Sequence, residues 1–271
     1  MIAPDVAAFE RLHAAAAGRL RVITVAPELP GATALIKAAA RAGVIAAVGH
    51  TDATADTTSA AVDAGASHAT HVFNGMRPLH HREPGPVGAL LDRAEVSCEV
   101  IADGVHLHDT AIRLVARAVG PGRLVLITDA MAAAGMPDGH YRLGPMRVDV
   151  AGGVARLAAE AHPATARAGP AGASAGPASA SAGPAGASAG PAGAIAGSTA
   201  TMASVVRHAI AAGLPVTAVA AAASTTPARV LGLGDRTGAL RAGLDADLVV
   251  CDEEFGLRAV MRHGEWLGES Q

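Results

Sequence analysis

Aromatic residues are nearly absent: one tryptophan, one tyrosine and three phenylalanines make up 2% of 271 residues. A chain so poor in aromatics offers no platforms on which bases could stack. Excess positive charge is lacking too. Twenty-one lysines and arginines stand against 24 acids, a formal net charge of −3, so there is no basic footprint for nucleic acid. No run of about 18 consecutive strongly apolar residues occurs, so the sequence signature of a membrane span is missing. Met1-Ile2-Ala3-Pro4-Asp5 carries an early acid and no basic stretch ahead of an apolar core, unlike a signal peptide. The only two cysteines, Cys98 and Cys251, lie far apart in separate apolar stretches. Both are expected as buried free thiols in a reducing cytoplasm. The expected partner is a small molecule, with no nucleic acid and no membrane.

What is present is a regular alternation. Apolar runs predict strands at 20–25, 44–48, 67–72, 96–102 and 123–128. Between and before them, amphipathic stretches predict helices at about 5–17, 31–42, 53–64, 86–92 and 108–118. Strand–helix alternation implies an α/β fold with a parallel sheet and right-handed crossovers. Five such units are found, and a closed barrel of this type has eight. Residues 140–157 change character and read as a small hairpin excursion. A helix is expected to about 211, a second over about 215–223, and a third from Thr226-Pro227. The tail from Gly238 reads as turn and strand, with a hairpin signal at His263-Gly264.

One tract stands apart. Ala168-Gly169-Pro170-Ala171-Gly172-Ala173-Ser174 recurs nearly unchanged from 175, 182 and 189. Proline and glycine in every repeat forbid a continuous helix, so the seven-residue period is no coiled coil. The low-complexity insert, about 160–194, is expected to be a surface loop that buries no core. Extra loop length costs little entropy.

The chemistry gathers at strand ends. His50 follows Val44-Ile45-Ala46-Ala47-Val48-Gly49, and His71 follows His68-Ala69-Thr70. A separation of 21 residues is about one strand, helix and return, which places both imidazoles at the carboxyl ends of neighbouring parallel strands. Barrel enzymes keep their catalytic groups there. Neutral imidazole suits zinc or iron, although capping or core histidines remain the alternative for the two residues taken alone. Asp129, ending Leu124-Val125-Leu126-Ile127-Thr128, adds a carboxylate on the same face, or else caps a following helix. The pattern reads as a metal-assisted hydrolase.

Five motifs come in order: Val48-Gly49-His50-Thr51-Asp52, Ala69-Thr70-His71-Val72-Phe73-Asn74-Gly75-Met76, Arg82-Glu83-Pro84-Gly85, Ile101-Ala102-Asp103-Gly104-Val105-His106 and Leu126-Ile127-Thr128-Asp129-Ala130. Together with Ala196-Gly197-Ser198 and the tail, over about 20–157 and 195–268, they closely resemble the N-acetylglucosamine-6-phosphate deacetylase family of the amidohydrolase superfamily. The resemblance implies that His50 and His71 are metal ligands and that Asp129 is the general base. It implies that His106 hydrogen-bonds the acetyl carbonyl. Arg82, with Asn74 and Gly75, would contact sugar or phosphate, and His81 is a second candidate phosphate donor. A lone loop arginine is usually solvated, and the surrounding motif favours the functional reading. His108, His80, His68, His140 and His208 are assigned structural or surface roles. The implied cofactor is a divalent metal (Zn, or Fe, Mn or Co). The implied substrate is a phosphosugar, and the intact form would be a cytoplasmic homodimer.

The family's front end is not found. There is no His-x-His strand and no Glu-Gly-Pro motif with its metal-binding glutamate, and Glu28 lies in a different segment. The expectation is therefore an incomplete (β/α)8 barrel, about strands 4–8, over 1–237, with part of a small accessory β-domain over 238–271. Its lumen should be apolar and exposed, and its metal set should lack a third protein ligand. Two function classes compete: a metal-dependent deacetylase and a non-catalytic truncated fragment of one. Another amidohydrolase-superfamily amidase is the weaker rival.

Overall fold

Short strands, four or five residues each, build the central sheet. β1 (Val22–Val25), β2 (Ile45–Val48), β3 (Ala66–Ala69), β4 (Ser97–Ile101) and β5 (Leu124–Ile127) are all parallel, in the order β1-β2-β3-β4-β5. The structure, a computed structural model, describes residues 2–158 and 193–268. The expected insert therefore lies outside the described residues, except for its last two positions.

Helix α1 (Val6–Ala15) precedes the sheet, and α2 (Ala32–Arg41), α3 (Ala55–Asp63), α4 (Gly85–Asp92) and α5 (Asp109–Val119) are the crossovers. Their starts are written in the sequence. Asp5 accepts from the Ala7 amide at 2.9 Å, and Thr54 accepts from the Thr57 amide, each satisfying a free N–H of a first turn. One sheet face, with Val25, Val48, Ala69, Cys98, Val100 and Leu126, packs against Ile36, Leu90, Ile112 and Val115 in a single core. Each fully buried aliphatic side chain there contributes about 1.5–3 kcal/mol.

The opposite face differs from the apolar lumen expected. Side chains alternate along a strand, and this face receives Thr24, Ala47, His68, Glu99 and Val125. Its polar members pair with one another or with the strand-end Thr70. Thr24 and Thr70 share a hydroxyl hydrogen bond of 3.0 Å, and His68 Nε2 lies 2.8 Å from Glu99 Oε1.

After β5 the hairpin excursion proves to be a three-stranded antiparallel meander, β6 (Gly139–Leu143), β7 (Met146–Ala151) and β8 (Val154–Leu157). It has its own small core of Met131, Val148, Val150 and Leu157. The Gly193 amide donates to the Leu157 carbonyl at 2.9 Å. Helices α6 (Met202–Ala211), α7 (Val216–Ala220) and α8 (Thr226–Val230) follow, with a π-helical turn, Ala221–Thr225, joining the last two. Strands β9 (Leu248–Cys251), β10 (Leu257–Arg262) and β11 (Glu265–Leu267) form a separate antiparallel sheet. Its hairpin turns at His263-Gly264, both at positive φ, as a tight hairpin requires.

The cysteines divide. Cys98 is buried in β4, and burial pushes its thiol up to about 12. Cys251 is exposed, contrary to expectation, because β9 presents most of its residues to solvent. Among the described residues no helix is long and apolar enough to cross a membrane.

Candidate active site

Backbone strain marks the site before any side chain is considered. Just past β2, β3 and β5, the residues His50, His71 and Asp129 have φ of 49°, 29° and 50°. Phe73 joins them at 78°. These are four of the seven non-glycine residues with positive φ among the described residues. A non-glycine residue held there costs of order 1–3 kcal/mol, and such residues cluster at functional sites. The three candidates named from sequence thus share one end of one sheet and one unusual conformation.

The two histidines converge. Their Nε2 atoms lie 2.9 Å apart, with the rings nearly perpendicular at 87°. Two ligands of one cation, each about 2.0–2.1 Å from it, can stand this close. Burial, then His71, lowers the pKa of His50, while Asp129 opposes the shift. The neutral form this favours is the one that binds metal. His71 is 5% exposed, and its Nδ1 is buried without a partner, whereas a ligating imidazole usually donates that N–H. Among the described residues no third His, Cys, Asp or Glu completes a cluster around the pair within 4.8 Å.

A frame of polar contacts fixes the pair. The Thr51 amide donates to the Gly75 carbonyl at 2.9 Å. Gly75, at φ +61°, lies so close that a Cβ there would sit 3.0 Å from His50 Nδ1. Glu28 accepts from the Thr51 hydroxyl and the Asp52 amide with its two oxygens. Arg77 grips Asp52 with two bonds of 2.9 and 3.1 Å and lowers its carboxyl pKa. Beneath His71, Glu99 accepts from the His71 amide at 3.1 Å.

Asp129 is solvent-exposed. The capping alternative finds no support: no helix follows it, and no amide of the next turn bonds its carboxylate among the described residues. Its carbonyl accepts from the Ser198 amide at 2.9 Å. His106 lies in the loop after β4 and pairs through Nδ1 with Asp103 at 2.8 Å. Arg82 and His81 are exposed neighbours, Nη1 to Nε2 at 2.9 Å, and Arg82 has no acidic partner among the described residues. The Asn74 amide nitrogen turns back onto the His71 and Val72 carbonyls at 3.3 and 3.4 Å. His108 caps α5 and accepts from the Thr110 amide.

Glu99, Asp103, Arg77 and Ser198 were not named as site residues from the sequence. Asp103 and Ser198 lie inside the quoted motifs, and the three-residue step from Asp103 to His106 was the available signal.

The geometry finds its class in comparison. The Amidohydrolase family matches residues 4–267, and the chain belongs to that family. The N-acetylglucosamine-6-phosphate deacetylase of Lysinibacillus sphaericus is 40% identical over 158 residues, 58% of this chain and 41% of that protein. The N-acetylgalactosamine-6-phosphate deacetylase of Escherichia coli O157:H7 is 36% identical over 262 residues, 96% of this chain and 60% of its own. An aspartate-to-alanine mutant of N-acetyl-D-glucosamine-6-phosphate deacetylase from Mycobacterium smegmatis, solved in complex with N-acetyl-D-glucosamine-6-phosphate, superposes with a TM-score of 0.83. It shares 45% identity, covering 98% of this chain and 62% of that one. The chain thus spans about half the length of the curated relatives it matches.

Proposed function

We propose that this chain carries catalytic machinery of a metal-dependent deacetylase. It would hydrolyse the acetamide of N-acetyl-D-glucosamine 6-phosphate to glucosamine 6-phosphate and acetate, in amino-sugar catabolism. The observation that supports this most is the shared strand-end geometry of His50, His71 and Asp129. Likeness to proteins named as deacetylases of this substrate adds to it.

His50 and His71 would hold a divalent cation, Zn or one of Fe, Mn and Co. That cation supplies Lewis-acid polarisation and water acidified into the neutral range. Asp129 removes a proton from the attacking water and returns it to the amine as the C–N bond breaks. His106, when its ring carries a proton on both nitrogens, donates from Nε2 to the acetyl oxygen, where negative charge develops. Arg82, with its forked donors, and His81 meet the phosphate. Asn74 and Gly75 line the sugar. The same reading takes 1–237 as part of a (β/α)8 barrel, about strands 4–8, with 238–271 as part of an accessory β-domain. The intact form would be a homodimer.

A second reading, a non-catalytic fragment, draws on one observation: no third ligand joins the histidine pair among the described residues. The test is acetate release from N-acetyl-D-glucosamine 6-phosphate and from its galactosamine counterpart. It is run on this chain and on a chimera carrying the upstream segment of a curated relative. Turnover by the chimera, lost in Asp129→Asn, supports the deacetylase. A folded, metal-loaded chimera without turnover overturns it.

A further inference from the structure

Asp103 sits at the centre of an assembly that the proposed chemistry does not yet use. Its side chain is 4% exposed, and that of His106 is 5% exposed. Oδ1 accepts from the Val105 and His106 amides, both at 2.9 Å. Oδ2 faces His106 Nδ1 at 2.8 Å and accepts from the Ser198 hydroxyl at 2.8 Å. Ser198 is itself buried at 3% and reaches the other side of the site. Its amide donates to the Asp129 carbonyl, and its own carbonyl accepts from the Met131 amide, both at 2.9 Å. Gly197 permits this approach: at φ +82°, a Cβ there would lie 3.1 Å from the Asp129 carbonyl oxygen.

We propose that Asp103 is a positioning residue that fixes the His106 proton on Nδ1, and that Ser198 ties this carboxylate to the backbone of Asp129. The inference rests on the role given to His106 above. Burial acts to raise the Asp103 carboxyl, but the donors from His106, Val105 and Ser198 outweigh it and hold it well below the usual carboxylate range. An ionised carboxylate can only accept, so Nδ1 opposite it carries the proton. Nε2 has no protein partner among the described residues and is left for the acetyl group. Neutral His106 then presents a lone pair, and protonated His106 presents an N–H aimed at the developing oxyanion. Ser198 bonds both strand-end loops, so the proposed base and the proposed oxyanion donor move as one unit.

The test is the ring tautomer of His106 in the full chain labelled with ¹⁵N-histidine. Long-range ¹H–¹⁵N correlations are recorded at alkaline pH, where the ring is neutral, and assigned with His106→Gln. The expected result is a proton on Nδ1 in the wild type and a shift toward the Nε2–H form in Asp103→Asn. A wild-type Nε2–H tautomer overturns the proposal even if Asp103→Asn does not fold, as does a tautomer unmoved by that substitution. Ser198→Ala should raise the Asp103 carboxyl midpoint, read by ¹³C shift, because one donor to the carboxylate is lost. An unmoved midpoint removes Ser198 from the assembly. A fixed Nδ1–H tautomer alongside an inactive chimera upholds the positioning role and removes the deacetylase reading. A mobile tautomer alongside an active chimera does the reverse.

Discussion

His50 Nε2 stands 2.9 Å from His71 Nε2, although 21 residues of chain separate the two. Strand β2, helix α3 and strand β3 make that meeting possible, and each histidine holds a positive φ. Gly75 closes the arrangement from one side. In Gly75→Ala the backbone at φ +61° would be strained by about 1–2 kcal/mol, and the new methyl would press on His50 Nδ1. Metal affinity should fall about 10–100-fold, as when an outer-shell support is lost. Zinc titration with a parallel melting curve checks this; unchanged affinity would detach Gly75 from the ligand geometry.

Asp103 predicts an acid dependence. Its folded pKa lies below its unfolded value. Its stabilisation is therefore complete above the ordinary carboxylate pKa, about 3.9, and is lost as pH falls through the lower folded value. Asp103→Asn should destabilise the chain by on the order of 2 kcal/mol at neutral pH. The deficit should shrink below about pH 4. Urea midpoints of both proteins at neutral and acid pH measure it, and a pH-independent deficit would contradict it.

Arg82, in the loop before α4, is an exposed cation without an acidic partner among the described residues. In an active chimera, Arg82→Ala should erode the preference for N-acetylglucosamine 6-phosphate over N-acetylglucosamine by on the order of 2–4 kcal/mol in kcat/KM. Equal loss on both substrates would take the phosphate away from Arg82.

Leu157 and Gly193, the described residues on either side of the Pro/Gly/Ala/Ser tract, already bond each other. Deleting 168–188 should leave the melting temperature and metal content unchanged. A large drop would show that the tract packs against the core.

The five strand–helix units were legible because each is a local apolar pattern bounded by glycine or a cap, and tertiary packing did not override it. His50, His71 and Asp129 were legible because each ends an apolar run, and the fold puts those ends together. What stayed hidden depends on approach rather than pattern. Arg77 meets Asp52 across 25 residues, and Glu99 meets His68 across 31. No periodicity encodes either pair; the Glu99–His68 pair, with the Thr24–Thr70 bond, explains the misread lumen face. Cys251 was misread for a related reason: β9 looks like a buried strand, but its sheet leaves it exposed.

The most direct measurement is calorimetric titration of zinc into the purified chain and into His50→Asn and His71→Asn, each shown folded by its melting curve. The predicted result is one ion per wild-type chain and no ion at that site in either variant, because each removes one of two converging Nε2 donors. Equal binding in all three proteins, or none in a folded wild type at millimolar zinc, would contradict the assignment of His50 and His71 as ligands of one cation.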